Sequence, residues 1–229
     1  MLTRKHGVWT ETDLYSFCSQ TNCADGSLPD AELLVDANGR IFGTTLNGGA
    51  NDAGVVFELA ETAGVWSETV LHNFCGMQDC ADGVLSQRAL VMDSEGALFG
   101  ALAAGGVHKS GLVFKLMPNG TQSEYSVVYD FCSRRDCRDG AAPDTELLLD
   151  SVRALYGTTV AGGNQTDSGT VFRLSGGALD VLHKFCAKAA CPDGASPRGG
   201  VSMDASGHLF GATTSGGKHG EGAVFELAP

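Results

Sequence analysis

One feature limits this chain more than any other: it is the same unit written four times. FCSQTNC at 17–23 returns as FCGMQDC at 74–80, FCSRRDC at 131–137 and FCAKAAC at 185–191, at spacings of 57, 57 and 54 residues. Each copy goes on with Asp-Gly, a short apolar run ending in Asp, an apolar-aromatic-Gly segment, a Gly-Gly pair, and VVFEL, LVFKL, TVFRL or AVFEL. The eleven Phe occupy three repeat positions, with Tyr156 in the twelfth slot, and the eight Cys occupy two. Units that repeat their large apolar residues in this way bury the same face against their neighbours.

Each unit holds four short runs rich in Val, Leu and Phe, bounded by Gly, Asp, Asn and Pro. That is the signature of strands, and no stretch has a long helical period. In the second unit the runs are Glu68 to Phe74, Ala89 to Met92, Ala97 to Ala101 and Leu112 to Leu116. Between the second and third runs lies D-x-x-G, as DANG, DSEG and DASG, where Asp caps the turn and Gly takes its positive φ. The third unit reads DSVR, so Arg153 stands at the glycine position, with a strain of roughly 1–2 kcal/mol if the turn is kept.

Four antiparallel strands repeated at about 55 residues predict an all-β chain of propeller blades. The units run 14–60, 71–117, 128–175 and 182–229, in one domain over 1–229. The N-terminal GVWTETDLYSF matches GVWSETVLHNF at 64–74, so residues 7–17 have the sequence of an outer strand. They are expected to complete the last blade and close a four-bladed monomer. The competing arrangement is a homodimer that shares a larger ring.

The repeat is similar to blades of NHL-type propellers. More closely, DGSLPDAELLVDANGRIFGTTLNGGANDAGVVFEL resembles the GloVer (Gloeo/Verruco) tandem repeat of bacterial exported proteins. The shared elements are D-G with a following Pro, D-x-x-G-x-[LI]-[FY]-G-T-T, G-G and G-x-V-F-x-L. The resemblance implies an extracellular or surface-anchored repeat protein. The second unit departs from it with GAL at Gly100 to Leu102, and with Ser86 where the others have Pro29, Pro143 and Pro197.

Three uses of the cysteines compete. Zinc wants four Cys or His ligands within tetrahedral reach, and each unit brings only two Cys. A catalytic dithiol uses C-x-x-C at a helix start, whereas this spacing is longer and lies among strands. Local disulfides, Cys18–Cys23, Cys75–Cys80, Cys132–Cys137 and Cys186–Cys191, are the simplest pairing, each contributing about 2 kcal/mol. They imply an oxidising, extracellular or cell-surface location. The N-terminus MLTRKHGVWTET does not read as a signal peptide.

A net charge of −12 opposes binding to nucleic acid, and no apolar stretch is long enough for a membrane span. The cystine loops and Gly-Gly loops are expected on one face, where ligand contacts concentrate. Asp25, Asp82, Asp139 and Asp193 lie there, either as turn caps or as acidic points facing a ligand. His108 and His219 are the unrepeated candidates. The expected function is non-catalytic binding or adhesion, with a glycan or other cell-surface ligand and no cofactor or metal. A structural scaffold is the alternative, and a hydrolase or lyase using His108 and His219 ranks third.

Overall fold

The computed structural model describes residues 2–5, 7–84 and 88–228, and Ser86 lies outside them. Strands β1 (Leu2–Lys5) and β2 (Val8–Glu11) form an antiparallel pair. Four sheets follow in chain order. The first holds β3 (Leu34–Val35), β4 (Ile41–Thr44), β5 (Val55–Thr62) and β6 (Val65–Asn73), each paired with the next. The second repeats this order with β7 (Val91–Met92), β8 (Leu98–Leu102), β9 (Leu112–Met117) and β10 (Glu124–Asp130). The third uses β11 (Leu148–Leu149), β12 (Leu155–Thr159), β13 (Thr170–Ser175) and β14 (Ala178–Lys184).

The fourth sheet is built differently. β15 (Ala195–Pro197) and β16 (Ser202–Met203) both pair β17 (Leu209–Ser215), and β18 (Ala223–Leu227) pairs β17 on its other side. β15 corresponds to single bridges in the other units, such as Ser27 to Asn47 and Ala141 to Ala161. β18 is therefore the outer edge. Among the described residues β2 pairs β1 and β18 pairs β17, so the expected pairing of 7–17 with the last sheet is not among these contacts.

The core lies between sheets. Phe42, Val56 and Phe74 meet Leu90, Leu98, Phe114 and Leu116 of the second sheet. Val113 and Phe131 meet Leu147, Leu155, Phe172 and Leu174 of the third, and Val171 and Phe185 meet Val201 and Leu209 of the fourth. The repeat positions occupied by Phe are these contacts. Phe74 stands edge-on to Phe114, Phe131 to Phe172 and Phe185 to Phe225, at ring separations of 5.1–5.7 Å. Each complete sheet also carries the same bulge in its last strand, at Leu71, Val128 and Leu182. The extra residue resets the in-out alternation just before His72, Tyr129 and His183.

The D-x-x-G turns form as expected, and DSVR keeps the same type. Arg153 has φ +67°, close to Gly39 (+80°), Gly96 (+83°) and Gly207 (+86°). Its side chain reaches the preceding unit, donating to Asp93 at 2.5 Å and to both carboxylate oxygens of Glu95 at 2.7 and 2.9 Å. A bidentate charged pair of this kind offsets the strained backbone.

Candidate functional site

All eight cysteines pair locally, with Cα separations of 3.9–4.0 Å. No thiol is left for metal or redox chemistry. Among the described residues no group of three or more His, Cys, Asp or Glu is placed to hold a metal ion. Four cystines suit an oxidising compartment.

Each cystine closes a tight loop that contains a short 3-10 turn in the first three units, at Thr21–Cys23, Gln78–Cys80 and Arg135–Cys137. The Gly-Gly loop docks on it. Gly49, Gly106, Gly163 and Gly217 donate their N–H to the carbonyls of Cys23, Cys80, Cys137 and Cys191 at 2.8–3.0 Å. The preceding glycine allows this approach. A Cβ on Gly48 would stand 2.6 Å from the Cys23 carbonyl oxygen, and one on Gly162 would stand 2.6 Å from that of Cys137. Residues far apart in each unit thus form one stiff double loop.

The recurring aspartates point into this double loop. Asp25 is fully buried and accepts from the Tyr15 hydroxyl at 2.8 Å, from Ser19 N and Oγ at 2.9 and 2.8 Å, and from Gln20 N at 3.3 Å. Asp139 repeats the set with Tyr129, Ser133 and Arg134. Asp82 takes Gly76 N and Met77 N, with His72 Nε2 at 3.2 Å, and Asp193 takes His183 Nε2 at 3.0 Å and Cys186 N at 3.2 Å. Burial works against ionisation of Asp25. The donors outweigh it, and its pKa falls to about 2. Asp25, Asp82 and Asp139 are therefore loop caps, their carboxylates facing inward; Asp193 keeps the ring contact and a single backbone N–H, from Cys186, and is partly exposed. The Tyr or His at 15, 72, 129 and 183 faces each Asp, from a strand and through its bulge in the last three cases.

The threonines after the third-strand glycine are also structural. Thr45, Thr159 and Thr213 donate to Asn47, Ala161 and Ser215 carbonyls and accept from Val55, Thr170 and Ala223 N–H. Leu102 fills this slot with a buried apolar side chain in the second unit.

Around this constant frame the loop tips differ. Tips at 20–22, 77–79, 134–136 and 188–190 read QTN, MQD, RRD and KAA. The Gly-Gly tips carry Ala50, Asn51 and Asp52; Val107, His108 and Lys109; Asn164, Gln165 and Thr166; and Lys218, His219 and Glu221. His108 and His219 are exposed, on separate units. A shallow cleft lies between the two tips of the second unit and another between those of the third. One of 200 Å³ is lined by Gln78, Asp79, Val107 and Lys109, and one of 230 Å³ by Asp136, Arg138, Asn164, Gln165 and Lys184. Lys109 Nζ donates to the Asp79 carbonyl, drawing the two tips together.

Frame and fold together define a class: an all-β tandem-repeat module with stapled loops on one face of its sheets. The chain belongs to the Gloeobacter/Verrucomicrobia repeat family, whose profile matches residues 3–138 and again 69–229. No curated protein matches it in sequence. Among solved structures it is similar to one described as the extracellular domain of a hybrid two component system from B. thetaiotaomicron. The identity is 11% and the TM-score 0.49, over 80% of this chain and 20% of that one, so the chain spans about a fifth of that protein's length.

Proposed function

We propose that this is a non-catalytic extracellular binding module, with its sheets arranged as propeller blades and its ligand received by the clefts of the cystine-loop face. The observation that carries this reading is the contrast between frame and tips. The same cystine, Asp cap and Gly-Gly contact recur in every unit, while the exposed residues they hold change from unit to unit. Stiffening loops before binding lowers the ordering cost of a complex, and such loops on a rigid scaffold are where recognition residues gather. Support for a radial arrangement comes from the loops ahead of β7, β11 and β16. Arg88 donates to Asp144 of the third unit at 2.7 Å and reaches the Arg198 carbonyl of the fourth at 3.5 Å, so three units converge at this point.

The chemistry of the second and third clefts, an acid beside a base and amide groups, suits a polyhydroxylated ligand such as a glycan. A glycan array with and without a chelator tests this. Saturable binding that survives the chelator and weakens at least tenfold in Asp136→Ala and Lys184→Ala supports the reading. A flat array favours the scaffold alternative, and a hydrolytic or lyase activity lost in His108→Ala and His219→Ala would replace it with an enzyme.

A further inference from the structure

The cleft of the third unit differs from its counterparts at one strand position. The residue before the repeat Phe, at the end of the last strand, is Asn73, Asp130 and Lys184 in the first three units. In the first, Asn73 Oδ1 accepts from Ala50 N of the Gly-Gly tip at 2.7 Å. In the second, the Asp130 carboxylate accepts from Val107 N at 2.6 Å and from His108 N at 3.2 Å. These oxygens lie hard against the loop. A Cβ on Gly49 would stand 2.8 Å from Asn73 Oδ1, and one on Gly106 would stand 2.7 Å from Asp130 Oδ2. In both units the strand thus hands the tip an oxygen acceptor.

The third unit keeps the frame and reverses the charge. Gly163 N still donates to the Cys137 carbonyl, as Gly106 N does to that of Cys80. The tip is one residue longer, and Asn164 is spent within it: Oδ1 accepts from Thr166 N at 3.0 Å and Nδ2 donates to the Phe185 carbonyl at 2.7 Å. Lys184 only donates, so it takes no N–H. Among the described residues, the main-chain N–H groups of Asn164 and Gln165 donate to no protein group. Arg138 lines the same cleft, where the second unit has Ala81. Lys184 is half-buried and Arg138 exposed, and among the described residues neither has an ion-pair partner. The acid in the lining, Asp136, lies 3.6 Å from Arg135. Backbone N–H groups beside two unpaired cations are the elements of an anion site, here in a chain whose net charge is −12.

We infer that the third-unit cleft binds a carboxylate carried by the ligand, so that a glycan received there is acidic, a uronate. The second unit supplies the template, because the group its tip receives from the strand is itself a carboxylate, that of Asp130. The planar fork of Arg138 matches two carboxylate oxygens, and Lys184 adds a point charge. The side chains of Asp136 and Gln165 are left for the hydroxyls of the same sugar. The choice of a sugar as carrier rests on the binding reading of the clefts. The preference for a carboxylate rests on Lys184, Arg138 and the two N–H groups, and stands apart from it.

An NMR titration of the oxidised, 15N-labelled full chain with glucuronate, and separately with glucose at matched ionic strength, tests this. Glucuronate is expected to shift the Asn164 and Gln165 amides saturably, and glucose to leave them in place. Lys184→Asp and Arg138→Ala give the third unit the residue types of the second. Each should weaken glucuronate binding by roughly tenfold while far-UV circular dichroism is kept. Amides that do not respond to glucuronate, or an affinity unchanged in both variants, would overturn the inference. Glucose shifting these amides as strongly as glucuronate would overturn it too, and leave the glycan reading in place. Glucuronate binding beside a flat glycan array would do the opposite: the carboxylate site stands and the glycan reading falls.

Discussion

The two loop faces of these sheets use one device, an aspartate folded back on a short turn, with very different reach. On the D-x-x-G face the carboxylate stays local. Asp36 Oδ1 accepts from Asn38 N and Arg40 N, both at 2.9 Å, and Asp204 does the same with Ser206 and His208. On the cystine face it gathers donors from the loop and from a tyrosine ten positions earlier, inside a loop already closed covalently and zipped to a third segment. The first arrangement makes a turn; the second joins three pieces of chain. Surface freedom at the tips follows from the second, because the joining carboxylate is buried in the first three units.

The largest effect should therefore come from the cystine face. Asp139→Ala takes a shared acceptor from the half-buried Tyr129 hydroxyl and from the Ser133 and Arg134 N–H groups, and should cost about 2 kcal/mol in denaturant unfolding. Asp36→Ala on the other face should cost about 1 kcal/mol. Equal losses would break the comparison. The low pKa of Asp25 adds a sign: its contribution is complete above about pH 4 and disappears as pH falls toward 2.

Arg153 is where the D-x-x-G face reaches beyond its own turn, to the preceding unit. Arg153→Gly relieves the positive φ and removes the pair with Asp93 and Glu95, while Arg153→Ala removes the pair and keeps the strain. The glycine variant should be the more stable of the two by about 1 kcal/mol, and only the two charged partners should make wild-type stability fall with added salt. Melting both variants at low and high salt checks this.

The smallest expected effect lies beneath the first cystine loop. Opposite Leu59 stands Glu68, where the second unit has Tyr125 opposite Leu116. Tyr125 donates to the Asp82 carbonyl at 2.6 Å and stacks on His72, whereas Glu68 Oε1 is buried without a partner. Burial, and then the charge of Asp25, pushes the Glu68 carboxyl up to about 7. Its raised pKa means that the stability tied to its proton is complete below about pH 4.5 and is lost as pH rises through 7. Glu68→Tyr should remove that slope and gain about 1 kcal/mol at pH 8, read from urea midpoints across pH.

Much of this was legible in the sequence because the repeat prints each position four times. The strands of the second unit fall within three residues of where Val, Leu and Phe place them, the cystines pair as their spacing suggests, and D-x-x-G makes its turn. What was not legible depends on register or on distance through space. The Tyr or His slot three before each cysteine has no recognisable role until a bulge turns it toward Asp. Arg153 reads as a broken glycine position until Asp93 and Glu95, 58–60 residues earlier, come beside it. The tips that differ between units are the residues that a search for repeated motifs passes over.

The five-residue span of each cystine has a consequence for how the protein matures. Eight cysteines allow 105 complete pairings, and most would cross-link different units. A thiol whose partner is five residues away meets it far more often than one more than fifty residues away, since loop closure becomes costlier with length. Each unit can therefore oxidise by itself as it emerges, in any order. The chain needs an electron acceptor to mature, but leaves a disulfide isomerase little to correct.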